Sequence, residues 1–142
     1  MNNFNKEGSN LNPKEYLDIR TNEKINFPSQ NEKDHSIAIF WATWCGPCKV
    51  EMQRLHDSVL EGKINPQSIY AINAFETGVK VRRFINQSPY KFRFINSPYA
   101  TRKLQVKSTP TTIFLKGNNV TSMSSGLSLI GIWRAEKHLA TK

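Results

Sequence analysis

The strongest constraint on this chain is an unbroken apolar run that gives way, within a few residues, to a helical pattern. Ile37-Ala38-Ile39-Phe40-Trp41 is continuously apolar and rich in branched and aromatic side chains, the composition of a strand buried on both faces. Downstream, Cys48, Met52, Leu55 and Val59 fall at i, i+4, i+7 and i+11, one stripe of an amphipathic helix. Both cysteines of the protein stand at the junction, in Trp44-Cys45-Gly46-Pro47-Cys48-Lys49. A dithiol is thereby expected at the positive, N-terminal end of a helix.

That placement suits disulfide exchange. The thiolate is the nucleophile, and a free thiol with pKa ~8.5 is only about 3% ionised at pH 7, against about half at pKa ~7. Such a shift corresponds to ~2 kcal/mol. A helix N-terminus supplies ~0.3–1 kcal/mol, and up to ~2 in a partly buried site, with a hydrogen bond from Cys48 supplying the rest. Pro47 fits the first turn, where its missing N–H has no helical partner to lose. Gly46 carries no side chain to obstruct an approaching substrate backbone.

Blander uses of the pair are weaker. Structural zinc takes a tetrahedral set of ligands, yet no other cysteine exists and His35, His56 and His138 are scattered without ligand spacing. A bridge across so short a loop adds little chain-entropy stabilisation. Redox chemistry remains, with no metal and no cofactor called for.

With these residues, the sequence resembles the thioredoxin superfamily, whose active site reads like Trp44-Cys45-Gly46-Pro47-Cys48-Lys49. Phe40-Trp41-Ala42-Thr43-Trp44-Cys45 and Glu51, three residues past Cys48, resemble the branch of extracytoplasmic thiol–disulfide oxidoreductases related to ResA and TlpA. The superfamily's cis-proline maps onto Pro110 in Thr109-Pro110-Thr111-Thr112. The resemblance covers about residues 18–139. Two positions depart from it: Ile39 replaces thioredoxin's buried aspartate, and Gln53 stands where the branch often carries a helix-kinking proline.

The resemblance implies an α/β thioredoxin fold, a central mixed β-sheet flanked by helices, with an N-terminal hairpin and a helical insertion. Residues 1–13 are expected as a flexible tail ahead of a single thioredoxin-like domain over 14–142. In the implied mechanism an exposed Cys45 thiolate attacks, Cys48 resolves, and Glu51 accepts or tunes the proton. Trp44, Gly46 and Pro47 contact substrate beside Thr109 and cis-Pro110, whose backbone pairs with an extended segment. Trp41 and His56 are expected in the core and on the surface, respectively. The implied partners are a disulfide-containing protein substrate and a membrane-bound redox donor, the protein acting as a monomer outside the cytoplasm. A general cytosolic thioredoxin and a thioredoxin-fold binding module with little turnover are the alternatives.

At 142 residues the chain can bury about two-thirds of its unfolded surface without staples. No apolar run approaches the ~20 residues of a membrane span. The polar, Asn-rich start shows no signal peptide, so export implies a leader absent from this chain. The net charge of +9 suits a solvated surface, with attraction to acidic proteins or an anionic membrane as the sharper reading. Lys91, Arg93, Arg102 and Lys103 interleave with aromatics, but no nucleic-acid recognition motif accompanies them.

Periodicity places the remaining elements. A hairpin is expected from 18–20 and 24–27, with turn residues 21–23. Strands are expected near 36–41, 68–74, 91–95, 111–115 and 120–123. Helices are expected at 46–61, 77–87, 99–104 and 128–140, the last with Leu129, Ile132, Trp133 and Leu139 facing the sheet. Glu76, just past a strand, is read as a loop or helix-start residue; a second acid near the dithiol is the alternative.

Overall fold

The computed structural model describes residues 10–76, 78–126 and 135–139. A two-stranded antiparallel hairpin, β1 (Lys14–Leu17) and β2 (Lys24–Phe27), precedes the sheet. The central strand β3 (His35–Trp41) leads into the helix α1 (Gly46–Leu60). A single 3-10 turn (Pro66–Ser68) then enters β4 (Ile69–Asn73). Helix α2 (Val79–Gln87), β5 (Arg93–Asn96), the short helix α3 (Pro98–Lys103), β6 (Thr111–Lys116) and β7 (Asn119–Ser125) come next. Residues 135–139 are helical. Of the helix expected over 128–140, Leu129, Ile132 and Trp133 lie outside the described residues, while Leu139 is buried.

The sheet order is β5-β4-β3-β6-β7. β3, β4 and β5 are mutually parallel, whereas β6 runs antiparallel to β3, and β7 to β6. The sheet is therefore mixed, with its apolar strand at the centre. Alternation along β3 divides the core into two layers. Ile37, Ile39 and Trp41 pack with Met52 and Leu55 of α1 and Val81 and Ile85 of α2. Ala38 and Phe40 face the other way, onto Phe27 of the hairpin and Ala100 and Leu104 at α3. Each large aliphatic side chain so buried contributes about 1.5–3 kcal/mol. Ile39 is one of them, at 0% exposure, so this position holds packing and offers no proton acceptor.

Two N-terminal expectations are corrected. The first hairpin strand is Lys14–Leu17, not 18–20. Asp18 ends it because its carboxylate accepts the N–H groups of Arg20 at 2.8 Å and Thr21 at 3.2 Å, curling the chain into the turn. The expected loose tail also stops earlier than residue 13. Leu11 is wholly buried, its N–H donates to the Asn118 carbonyl at 2.9 Å, and Asn118 Nδ2 returns a 3.0 Å bond to the Leu11 carbonyl.

Helix α1 passes through Gln53 without interruption and ends in a Schellman arrangement. Gly62, at φ +77°, donates to the Val59 carbonyl at 3.0 Å, and Lys63 donates to that of Ser58 at 2.9 Å. Gln53 itself bridges Asp57, one turn on, and the hydroxyl of Tyr90.

Candidate active site

Parallel strands bring their C-terminal ends together, and the segments leaving those ends meet there. After β3 come residues 42–45, after β4 residues 74–76, and after β5 Ser97 and α3. The β3–β6 register pairs Phe40 with Thr111, so Pro110 reaches the same end of the sheet. The site is assembled from these pieces.

Cys45 is the N-cap of α1, in extended backbone conformation. Its Sγ accepts the Cys48 N–H at 3.2 Å, the bond that a capping oxygen makes elsewhere. The two cysteines are joined as a disulfide with an S–S distance of 2.16 Å and Cα atoms 5.3 Å apart. Pro47 lies in the first turn, as the spacing predicts. Trp44 is 61% exposed, and Gly46 and Pro47 are exposed beside it. A Cβ built on Gly46 would meet nothing within 4 Å, so the space above it is open to a partner.

The exposure of Cys45 is a correction. An exposed sulfur is expected from sequence, yet Cys45 is only 4% exposed and Cys48 0%. The cap geometry turns the Cys45 side chain inward, onto the helix's own first-turn amide and its disulfide partner. Of the pair, Cys45 alone keeps an open edge.

The Thr109–Pro110 bond is cis. Pro110 is buried, its carbonyl accepting the Gly126 N–H at 2.8 Å, and Thr109 is half-buried. A second cis bond, Phe27–Pro28, has no counterpart in the sequence reading. Glu51 is 5% exposed, one helical turn beyond Cys48 on the inner side of α1.

Sequence reasoning underrated Glu76 and missed Thr43. Glu76 is indeed a loop residue, but its carboxylate grips the dithiol turn. Oε2 accepts the Thr43 N–H at 2.5 Å and Oε1 the Thr43 hydroxyl at 2.8 Å. Asn73 Nδ2 donates to Oε2 at 3.0 Å, and Asn96 Nδ2 to the Glu76 carbonyl at 3.3 Å. Residues just past the ends of neighbouring parallel strands are the signal that could have found this pair.

The histidines lie elsewhere. His138 Nε2 contacts the carbonyls of Ser36 and Leu115 at 3.2 and 3.0 Å, with the His35 ring 4.9 Å away, at the start of β3. His56 is corrected from surface to interior: it is 7% exposed, edge-on to Tyr90 at 5.3 Å between ring centroids. Trp41 is in the core, as expected, with Phe84 and Phe94 against it.

The thioredoxin-like domain family matches residues 22–129, spanning the hairpin turn through the last strand and beyond. The chain belongs to that family. Among curated relatives, the thiol–disulfide oxidoreductase ResA of Oceanobacillus iheyensis is 35% identical over 81 residues, 56% of this chain and 42% of that protein. ResA of Bacillus anthracis is 40% identical over 53 residues, 37% of this chain and 31% of that protein. The aligned regions thus span less than half of those relatives. Among solved structures, a thioredoxin-family thiol:disulfide interchange protein of Chlorobium tepidum superposes with a TM-score of 0.74 at 13% identity, covering 94% of this chain and 95% of that one. StoA of Bacillus subtilis gives 0.68 at 18% identity, covering 89% and 96%. These likenesses establish the thioredoxin-like fold.

Proposed function

We propose that this protein is a thiol–disulfide oxidoreductase that reduces protein disulfides through Cys45 and Cys48. The observation that carries the reading is the dithiol itself, closed at the N-cap of α1 with the Cys48 N–H aimed at the Cys45 sulfur. The same amide and helix end that hold the disulfide would stabilise a thiolate on Cys45 in the reduced protein.

The cycle begins from the reduced pair. Cys45, the cysteine with an open edge, attacks one sulfur of the substrate disulfide; the other substrate sulfur leaves as a thiolate and is protonated. Cys48 then gives up its proton and attacks Cys45, releasing the second substrate thiol. Two electrons pass to the substrate, and the Cys45–Cys48 bond of this structure is the product. Glu51, near Cys48 on α1, accepts the proton that Cys48 loses. Trp44, Gly46 and Pro47 form one bank of the substrate site, and the backbone of Thr109 ahead of cis-Pro110 forms the other.

Among the described residues no helix is long and apolar enough to cross a membrane. The ResA likeness supports a disulfide substrate and a redox partner in general; we propose action outside the cytoplasm as a monomer, re-reduced by a membrane-bound donor protein. A potential near about −270 mV suits a reductant, whereas one near about −120 mV would make the protein an oxidant.

The reduction of insulin disulfides by the pre-reduced protein tests the assignment. Cys45→Ser is expected to abolish turnover, and Cys48→Ser to trap a mixed disulfide visible by mass spectrometry. Glu51→Gln is expected to turn over with a flatter pH profile. Turnover that survives in Cys45→Ser removes the dithiol from the reaction.

A further inference from the structure

A groove of about 720 Å³ opens beside the dithiol, on the α3 side of the sheet. Phe75, Asn96, Pro98, Arg102, Gln105 and Lys107 line it. It is linked to the redox site on two sides, by a hydrogen-bonded side chain and by chain connection. On one side, Glu76 lines the groove and is hydrogen-bonded to Thr43, two residues before Cys45. On the other, Gln105 to Lys107 run through Ser108 directly into the cis Thr109–Pro110 bond. The lining thus ends two residues before Thr109 along the chain.

The chemistry of the lining points to a particular occupant. Phe75 is 53% exposed and sits at φ +70°. Neither burial nor backbone preference favours a phenylalanine in that place, since bulky side chains rarely adopt left-handed conformations. An exposed aromatic held over a groove is instead suited to contact with a partner's apolar side chain. Arg102 and Lys107 are exposed, and neither joins an ion pair among the described residues. Among the described lining residues the one carboxylate, Glu76, has both oxygens hydrogen-bonded by Thr43 and Asn73. Those bonds come from neutral groups and leave its charge in place, so two exposed cations stand against one carboxylate among the described lining residues, on a chain that carries +9 overall.

We infer that this groove binds the segment of the substrate protein that flanks its disulfide, and that it selects an acidic segment bearing an aromatic or large aliphatic residue. The apolar residue packs on Phe75, and neighbouring carboxylates meet Arg102 and Lys107. The inference rests on the proposed oxidoreductase reading only for calling the occupant a substrate. Binding to the disulfide form needs no turnover, so a failed preference and a failed dithiol reaction leave different signatures.

Fluorescence anisotropy on the oxidised full chain tests the inference. One rhodamine-labelled peptide carries glutamates on either side of a phenylalanine, with serine in place of its cysteine; its counterpart has lysines for the glutamates. The acidic peptide is expected to bind about tenfold more tightly, a difference of ~1.4 kcal/mol. Raising the salt should narrow that gap, because both cations are exposed. The double variant Arg102→Glu/Lys107→Glu is expected to bring the ratio to about one or invert it. Phe75→Ser is expected to weaken both peptides about threefold or more. Lys103→Glu, on the same helix but outside the groove, is expected to change the ratio less than about twofold. A ratio unaltered in the double variant would overturn the inference. So would tighter binding of the lysine peptide to the wild type, or a Lys103→Glu effect as large as that of the double variant.

Discussion

Thr43 holds the dithiol turn in place because one carboxylate grips it twice. Backbone amide and hydroxyl donate to separate oxygens of Glu76, and Asn73 adds a third bond. Burial pushes this carboxyl's pKa up. The bonds from the Thr43 N–H, Asn73 and the Thr43 hydroxyl, with Lys80 behind them, outweigh it and hold the group below the usual carboxylate range. A depressed folded pKa means that this stabilisation is complete above the unfolded value of about 4.3. It is lost as pH falls through the lower, folded value. Glu76→Ala is expected to cost about 1–3 kcal/mol at neutral pH, since the buried Thr43 donors lose an ionised acceptor. Glu76→Gln, which keeps one acceptor, should cost less. Urea unfolding of all three proteins at about pH 7 and about pH 3 checks this. If the wild type loses no more stability on acidification than Glu76→Ala, the carboxylate's ionisation is not what holds the turn.

Among the elements, those with strong periodicity are legible in the sequence and those made by local side-chain bonds are not. The apolar run of β3 and the stripe of α1 are enough to place the dithiol at a helix N-terminus. The cis bond at Thr109–Pro110 is legible only through the superfamily resemblance, since the residues alone read equally as a proline beginning a strand. The first hairpin strand escapes because Asp18 captures the N–H groups that would continue it, which no alternation pattern registers. His56 escapes for a simpler reason: it lies at i+4 from Met52 and i+8 from Cys48, on the same stripe, and only its polarity argues for the surface. The grip of Glu76 on Thr43 joins positions 33 apart and needs the parallel topology to be seen. Glycine costs, too, separate only in three dimensions. Gly62 and Gly117 both have positive φ, +77° and +59°. A Cβ on Gly62 would meet nothing within 4 Å, while one on Gly117 would lie 2.9 Å from the Glu32 Cα. Gly62→Ala is therefore expected to cost about 1–2 kcal/mol from backbone strain alone. Gly117→Ala should cost distinctly more, because main chain must move. Urea midpoints at unchanged m-value measure both; equal losses would mean that the 31–34 turn yields freely.

Across the whole molecule, the chain closes on itself at the end of the sheet opposite the dithiol. His138, near the C-terminus, reaches the carbonyls of Ser36 on β3 and Leu115 on β6 through one ring nitrogen. It thereby pins the last described helical residues across both central strands. Burial lowers its pKa below the ordinary 6.5, and His35 nearby lowers it further, against the raising effect of the Leu115 and Ser36 carbonyls. The fold thus prefers the neutral ring, and on acidification the unfolded chain takes up the proton first. The stabilisation is complete above the ordinary 6.5 and is lost as pH falls below it through the depressed folded value. Wild-type protein is expected to be less stable at about pH 5.5 than at about pH 7.5, and His138→Gln, which retains an amide donor but cannot titrate, to show a smaller difference. The strand between His138 and the dithiol is about 20 Å long, so the pH profile of disulfide exchange should be the same in both proteins. Urea unfolding at the two pH values, run beside insulin-reduction rates, separates the two ends of the molecule. A His138→Gln protein as acid-sensitive as the wild type would place the pH dependence elsewhere, and an altered exchange profile would mean that the two ends are coupled through β3.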